Sequence, residues 1–195
     1  MRYHHGDLRR ALLCAAEEVL EREGPAALSL RELARVIGVS HNAPYRHFAD
    51  REALLAAVAA EGFRRLATGL AAADAAAPPG ERLQATGRAY LDFARTHRAL
   101  YLLMFGPGLR KSAHAELRDA ARAAFDVLRD VVASAGIPPG PRARHGAIGA
   151  WALVHGLAHL IADGQIAEDL GADGHAMLIA DVLESYATGL CATAG

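Results

Sequence analysis

Two histidines offer the most versatile side-chain chemistry in the chain, because an imidazole can bind a metal ion, transfer a proton or form hydrogen bonds. His155 and His159 are four residues apart, and Asp163 follows one helical turn later. Residues at this spacing share one face of a helix, so these three side chains could approach one zinc ion. The sequence offers no fourth ligand and no cysteine nearby. We therefore favour a packed, hydrogen-bonded histidine pair, and we predict no metal site and no cofactor.

Catalytic motifs are missing from the sequence. It contains no G-x-G-x-x-G, no phosphate-binding P-loop, no G-x-S-x-G and no H-E-x-x-H. The carboxylates are scattered rather than paired, and the Glu-x-x-His pairs of di-iron helical bundles are absent. We therefore predict that the protein is not an enzyme.

Composition indicates a folded protein of a reducing compartment. The chain has 195 residues, 52% of them hydrophobic, and a net charge of −1, which by itself gives no support for nucleic-acid binding. Its two cysteines, Cys14 and Cys191, suggest no disulfide framework, and we expect Cys14 to be a buried small side chain. Polar residues interrupt every apolar run, and the N-terminus lacks the pattern of a signal peptide, so we expect a soluble cytoplasmic protein with no membrane contact.

Helices should build the whole fold, because alanine is abundant, β-branched residues are few and no segment alternates in the manner of a strand. Asp7, Ser29 and Asp50 are candidate N-caps, while Gly24 and Gly38 are candidate helix ends. The pattern predicts an all-α protein of about nine helices. They cover approximately 7–23, 29–37, 40–48, 50–77, 83–94, 96–105, 117–135, 142–163 and 174–191.

The segment Ser29–Phe48 predicts a helix-turn-helix motif. Ala34 is small enough for two helices to cross there, Gly38 allows a tight turn, and Val39 could fill the gap between the helices. Ser40 could cap the second helix, whose N-terminal end would then face a DNA groove.

This stretch resembles the N-terminal domain of the tetracycline-repressor (TetR) family of transcriptional regulators. The resemblance covers about residues 6–56, over which many positions agree at a fixed spacing. It is carried by Ser29, Ala34, Gly38-Val39-Ser40, Tyr45-Arg46-His47-Phe48, Arg51-Glu52 and Leu54-Leu55. It implies a DNA-binding domain at 1–56, a ligand-sensing and dimerisation domain at 57–195, and a homodimer that binds double-stranded operator DNA and a small-molecule effector.

The resemblance also implies roles for individual residues. Phosphates would be contacted by Ser29, Tyr45, His47 and Arg51, and base edges by His41, Asn42 and Ala43. An arm of Tyr3, His4 and His5 could lie along the DNA backbone, although a floppy terminus is the simpler interpretation. Pro44 departs from the aliphatic residue found in many members, so we expect the third helix to begin nearer Asn42 than Ser40.

The C-terminal part is similar to a TetR subgroup that carries a Trp-His-Gly motif in its last helices. Residues 142–163 and the final helix would form an intersubunit four-helix bundle, with Trp151, His155, His159, Val182 and Tyr186 at the dimer interface. An aromatic-rich group marks the predicted ligand pocket, although each member could instead be ordinary core: Tyr90, Phe93, His97, Tyr101, Met104, Phe105 and Phe125.

The sequence thus predicts a sequence-specific DNA-binding regulator, a repressor that leaves a palindromic operator when a small molecule binds. The alternative is a helical ligand-binding or interaction protein whose helix-turn-helix no longer binds DNA.

Overall fold

A computed structural model describes residues 5–134, 140–166 and 171–192. Tyr3 and His4 of the predicted N-terminal arm lie outside this range, and so does the side chain of Cys191. The described residues form helices joined by turns and contain no strand, which confirms the all-α prediction.

Eight α-helices and four short 3₁₀ helices make up the described residues. The α-helices are α1 (His5–Glu23), α2 (Leu30–Val36), α3 (Arg51–Ala76), α4 (Arg82–Thr96), α5 (Arg98–Phe105), α6 (Ala115–Ser134), α7 (Pro141–Ala162) and α8 (Gly171–Ala192). The 3₁₀ helices are Pro25–Ala27, Pro44–Arg46, Pro79–Glu81 and Lys111–Ala113.

Several predicted helix ends are confirmed. Asp50 caps α3 by accepting a 2.8 Å hydrogen bond from the Ala53 amide at its side chain. Ser29 is the N-cap residue of α2, although its side chain makes no capping hydrogen bond. Helix α1 begins at His5 and not after Asp7, and it ends before Gly24, whose φ of +80° suits glycine.

The chain divides into two compact units whose boundaries fall within α3, between α4 and α5, and within α6. The first unit comprises Met1–Arg64 and His97–Ala121, and the second comprises Arg65–Thr96 and Arg122–Gly195. Helix α5 therefore belongs to the same unit as the predicted helix-turn-helix. The division of the chain at residue 56 into functional domains remains a prediction.

The first unit has an aliphatic core with an aromatic cluster beside it. Leu12, Leu20, Leu33, Leu54 and Leu100 are completely buried. Glu21 of α1 joins α5 to this unit, because its carboxylate accepts hydrogen bonds from the Ala99 and Leu100 amides at 3.3 and 3.2 Å. These amides belong to the first turn of α5, where no intrahelical acceptor exists for them.

In the second unit, α4 packs on α7 and α8 through small residues. A Cβ atom at Gly87 of α4 would lie 2.7 Å from Leu183 of α8, so only glycine allows this approach without movement of the leucine. Gly149 of α7 similarly leaves room for the hydroxyl of Tyr186. The Tyr186 hydroxyl donates to the Gly146 carbonyl at 2.9 Å, and burial raises the pKa of this phenol above its ordinary value.

The prediction that Cys14 is a buried side chain is wrong. Cys14 is exposed, because it falls between the core-facing positions Leu12 and Ala15 on the outer side of α1. The sequence also indicated no segment able to cross a membrane, yet α7 passes that test by length and composition, with a third of its most apolar window buried. Core helices of soluble proteins pass the same test, and α7 contributes Ala143, Ala147 and Ala150 to the core of the second unit.

Candidate nucleic-acid interface

Helix α2 ends in a turn that only a residue of positive φ can form easily. Gly38 has φ +72°, its amide donates to the Arg35 carbonyl at 3.3 Å, and the Val39 amide donates to the Ala34 carbonyl at 2.9 Å. Together these two hydrogen bonds form a Schellman motif, which ends a helix and turns the chain sharply. The turn predicted for a helix-turn-helix is therefore present at the predicted glycine.

The third helix predicted over residues 40–48 is not an α-helix, and Pro44 explains the difference. Pro44 has no amide hydrogen to give to the Ser40 carbonyl, which instead accepts a 2.9 Å hydrogen bond from the Ala43 amide. The chain therefore winds as tight turns and forms a 3₁₀ helix only over Pro44–Arg46. The 3₁₀ helix therefore begins later than Ser40, the first predicted start of the third helix, and later than Asn42, the start expected because of Pro44.

The side chains of this segment divide into an outward and an inward set. His41, Asn42 and Tyr45 are exposed, the last with 45% of its surface accessible. Ala43 and His47 are half-buried. Phe48 and Pro44 are buried and hold the segment against the core. All three predicted base-contacting positions therefore retain some access to solvent.

Ser29 lies at the start of α2 and Arg51 at the start of α3, and the hydrogen bonds of their side chains differ. The Ser29 hydroxyl is exposed and makes no capping bond. The Arg51 guanidinium donates from Nε to the Leu28 carbonyl at 2.9 Å and from Nη2 to the Pro25 carbonyl. Of the four predicted phosphate contacts, Arg51 is thus already bound to protein acceptors.

Ion pairs within the first unit join residues of α1, α3 and α6 that are distant in sequence. Glu116 accepts from Arg9 at 2.8 Å and from Arg64 at 3.1 Å, and the Arg9 guanidinium lies 5.6 Å from the centre of the Phe48 ring. On α2, Arg35 hydrogen-bonds to Glu32 and so lowers the pKa of that carboxyl below its ordinary value. These pairs neutralise part of the positive charge around the motif.

The second unit contains a small apolar cavity of about 20 Å³, enough for one water-sized molecule. Its lining residues are Leu70, Leu83, Thr86, Gly87, Tyr90, Leu128, Ala150, Leu153, Val154, Leu183 and Tyr186. Its hydroxyl groups bond within the protein: Thr86 donates to the Arg82 carbonyl at 2.8 Å, and the Tyr90 hydroxyl lies 3.0 Å from Nδ1 of His155.

Of the seven predicted pocket residues, Tyr90 lines this cavity. Phe125 packs edge-to-face on Trp151, with ring centres 6.0 Å apart, and Phe93 lies on the same helix as Tyr90. The other four predicted residues belong to the first unit: His97 is the N-cap residue of α5, Tyr101 and Met104 are fully buried, and Phe105 contacts Tyr101. The seven predicted pocket residues are therefore divided between the two units, whose boundary lies between residues 96 and 97.

Phe105 also takes part in a second aromatic arrangement that the sequence did not suggest. Lys111 places its Nζ atom 4.9 Å from the centre of Phe63 and 5.0 Å from that of Phe105. Removal of water around it lowers the pKa of the lysine below its ordinary value.

Aromatic and imidazole rings follow one side of α7. Ring centres of Trp151 and His155 are 5.7 Å apart, and those of His155 and His159 are 4.6 Å apart. Among the described residues, no group of three or more His, Cys, Asp or Glu side chains is arranged to hold a metal ion. On α8, the other two predicted interface residues, Val182 and Tyr186, are half-buried.

Large apolar side chains are exposed on the last two helices. Ile148 is 43%, Trp151 36% and Leu160 44% exposed on α7, and Met177 of α8 is 67% exposed. Of these four residues, Trp151 belongs to the dimer interface that the resemblance implies.

Two family models match the chain. The model described as bacterial regulatory proteins of the tetR family matches residues 12–58, and the model described as the tetracyclin repressor-like C-terminal domain matches residues 83–185, more than half of the chain. A comparison with curated proteins found no match.

Similar solved structures span the whole chain. A protein of unknown function from Rhodococcus sp. RHA1 is 38% identical and covers 100% of this chain and 98% of its own, with a TM-score of 0.80. A bacterial regulatory protein in the tetR family from Rhodococcus RHA1 is 21% identical over 96% of both chains, with a TM-score of 0.64. A TetR variant from Acinetobacter baumannii AYE in complex with minocycline is 19% identical, covers 100% of this chain and 99% of its own, and has a TM-score of 0.67.

Proposed function

Because the chain belongs to the TetR family of DNA-binding transcriptional regulators, we propose that it is a homodimeric, cytoplasmic repressor released from a palindromic operator by a small molecule. The observation that carries this proposal is the helix-turn-helix itself, in which a glycine-dependent turn joins α2 to a segment with exposed polar side chains. The assignment to the Trp-His-Gly subgroup is part of the proposal.

Contacts to DNA would divide by position. The exposed ends of His41 and Asn42, with Ala43 beside them, would meet base edges, and Asn42 has the donor and acceptor that a bidentate contact to adenine requires. Ser29, Tyr45 and His47 would donate to phosphates, which fixes the position of the protein without reading sequence. His5, at the first turn of α1, would continue an arm formed by Tyr3 and His4. Arg51, the fourth residue predicted to contact a phosphate, already donates to the Leu28 and Pro25 carbonyls.

A second copy of the chain would cover the apolar side of α7 and α8. Ile148 and Trp151 are separated by one helical turn and both are exposed, which is costly in water unless a partner covers them. Together with His155, His159, Val182 and Tyr186 they would form the proposed four-helix interface. Such an isologous contact would place two helix-turn-helix motifs on successive turns of the duplex.

The effector would enter the second unit at its cavity. Ligand pockets for organic molecules measure roughly 300–1,000 Å³, so a cavity of this size must open when a ligand binds. Leu183 and Tyr90 lie on two different helices of the wall, and their separation would enlarge the space. Since α3 runs from the first unit into the second, a shift of α3 would carry the effect to the DNA-binding unit.

Selection of bound fragments from random duplex DNA tests the proposal. We expect a palindromic site to be recovered, and Asn42→Ala to change the recovered sequence preference. Tyr45→Phe should instead weaken binding to all duplexes equally, because a phosphate contact carries no sequence information. Each variant is the control for the other. Failure of the wild-type protein to retain any duplex at low ionic strength would favour the alternative, a helical interaction protein with a degenerate motif.

A further inference from the structure

Arg51 joins the beginnings of α2 and α3. It is the first residue of α3, and its guanidinium uses two of its five N–H donors on the carbonyls of Leu28 and Pro25. The donors are Nε and Nη2, which form the side-on edge of the fork that would also bind a phosphate in a bidentate manner.

The two acceptors lie in the short connection that leads into α2. Pro25 begins a 3₁₀ helix, and its carbonyl also accepts from the Leu28 amide at 3.3 Å. Leu28 is 2% exposed and directly precedes Ser29, the N-cap residue of α2. The guanidinium therefore holds the backbone at the point where the helix-turn-helix begins.

A side-chain hydrogen bond also stabilises the start of α3, to which Arg51 belongs. The Asp50 side chain caps the same turn of α3 by accepting from the Ala53 amide at 2.8 Å. A cation in the first turn of a helix is disfavoured by the helix dipole, and the carbonyl oxygens offset this cost by accepting charge-assisted hydrogen bonds. The arrangement is a clamp between two helix starts, which we call the Arg51 clamp.

We propose that Arg51 is a positioning residue that aligns α2 and its turn with α3, and that it does not act as a phosphate ligand. A displacement of α3 would then pass directly to the start of α2. The inference rests on the proposed DNA binding, but it can also be measured without DNA.

Two variants at one position separate the two roles. Arg51→Lys keeps the charge, which would preserve a phosphate contact, but loses the planar fork that reaches both carbonyls. Arg51→Gln removes the charge and the fork. Arg88→Gln, at an exposed position of α4, controls for the loss of one positive charge. The probe is a fluorescent duplex of about 30 base pairs, recovered by the wild-type protein from a random pool, titrated at several NaCl concentrations.

A clamp predicts that both Arg51 variants lose about tenfold or more in affinity, because each variant loses at least one of the two charge-assisted hydrogen bonds. The salt slope should remain that of the wild type. A phosphate contact predicts a different pattern, with Lys close to wild type and Gln flattening the slope by roughly 0.9 per contact, or about 1.8 for a dimer. That second pattern would overturn the inference.

Hydrogen exchange of the free protein tests the clamp independently of DNA. In Arg51→Lys, the amides of residues 26–33 should exchange at least several-fold faster, while those of α1 keep their protection. Unchanged exchange at 26–33, or a loss of protection throughout the first unit, would refute a specific positioning role. If the wild-type protein bound no DNA, the proposed function would fail while this experiment still decided whether the clamp exists.

Discussion

The turn after α2 allows a prediction in which one chemical change has opposite effects at two glycines. Gly38 has φ +72° and Gly69 lies within α3, and a Cβ atom at either position would meet nothing within 4 Å. Steric clashes are therefore excluded at both sites, and only backbone conformation distinguishes Gly38→Ala from Gly69→Ala.

The magnitudes follow from that difference. An L-residue in the left-handed region costs about 1–2 kcal/mol, and the reduced freedom of the unfolded chain returns about 0.4–1 kcal/mol. Gly38→Ala should thus lower the free energy of unfolding by about 1 kcal/mol. Gly69→Ala should raise it by about 0.5–1 kcal/mol, since alanine favours a helix interior over glycine. Each kcal/mol corresponds to roughly 2–4 °C in Tm for a chain of this length.

Urea titration followed by far-UV circular dichroism measures both variants, at one protein concentration because dimerisation would shift the transition. Gly38→Asn provides a matched control, since asparagine tolerates a positive φ better than alanine and should recover part of the loss. If Gly38→Ala stabilised the protein as much as Gly69→Ala, the Schellman motif and the turn built on it would be wrong.

Three further predictions concern single hydrogen bonds. Tyr186→Phe should lower the free energy of unfolding by about 1 kcal/mol, because it removes the hydrogen bond to the Gly146 carbonyl. Since folding raises the pKa of this phenol, its contribution to stability is complete below about pH 10 and is lost at higher pH. Urea titrations of both proteins at pH 7 and pH 11 measure the difference. In Tyr90→Phe, Nδ1 of His155 loses its hydrogen bond to the Tyr90 hydroxyl, so the tautomer equilibrium of the imidazole should shift, as ¹⁵N chemical shifts measure. An unchanged equilibrium would contradict the bond. Glu21→Gln should lower the Tm by removing the charged acceptor of the first amides of α5, and hydrogen exchange confined to that turn would distinguish this from a general loss of packing.

Local signals in the sequence were sufficient for much of the fold. Gly38 and Asp50 could be assigned from the sequence because a left-handed turn and a side-chain cap each depend on the residue at one position. Pro44 was recognised as a departure, but its consequence was underestimated. Loss of its amide hydrogen removed the first α-helical bond from the Ser40 carbonyl, and the segment became 3₁₀ instead of a shorter α-helix.

Contacts between residues that are far apart in the sequence could not be predicted from local sequence signals. The bond between Tyr90 and His155 joins positions 65 residues apart, and the Arg51 clamp joins α3 to carbonyls 23 and 26 residues earlier. Backbone carbonyls have no sequence signature, so Arg51 could be recognised only as a cation near the motif. The aromatic residues of α4 and α5 are neighbours in the sequence, yet those of α4 belong to the second unit and those of α5 to the first.

The stoichiometry and geometry of the DNA complex test whether the protein binds an operator as a dimer. We expect sedimentation analysis to give two protomers per duplex, and footprinting to show two half-sites 34–36 Å apart, the repeat of successive major grooves. Trp151→Glu should reduce both dimerisation and DNA binding. A strictly monomeric protein, or one protomer on a single half-site with undiminished affinity, would contradict binding as a homodimer.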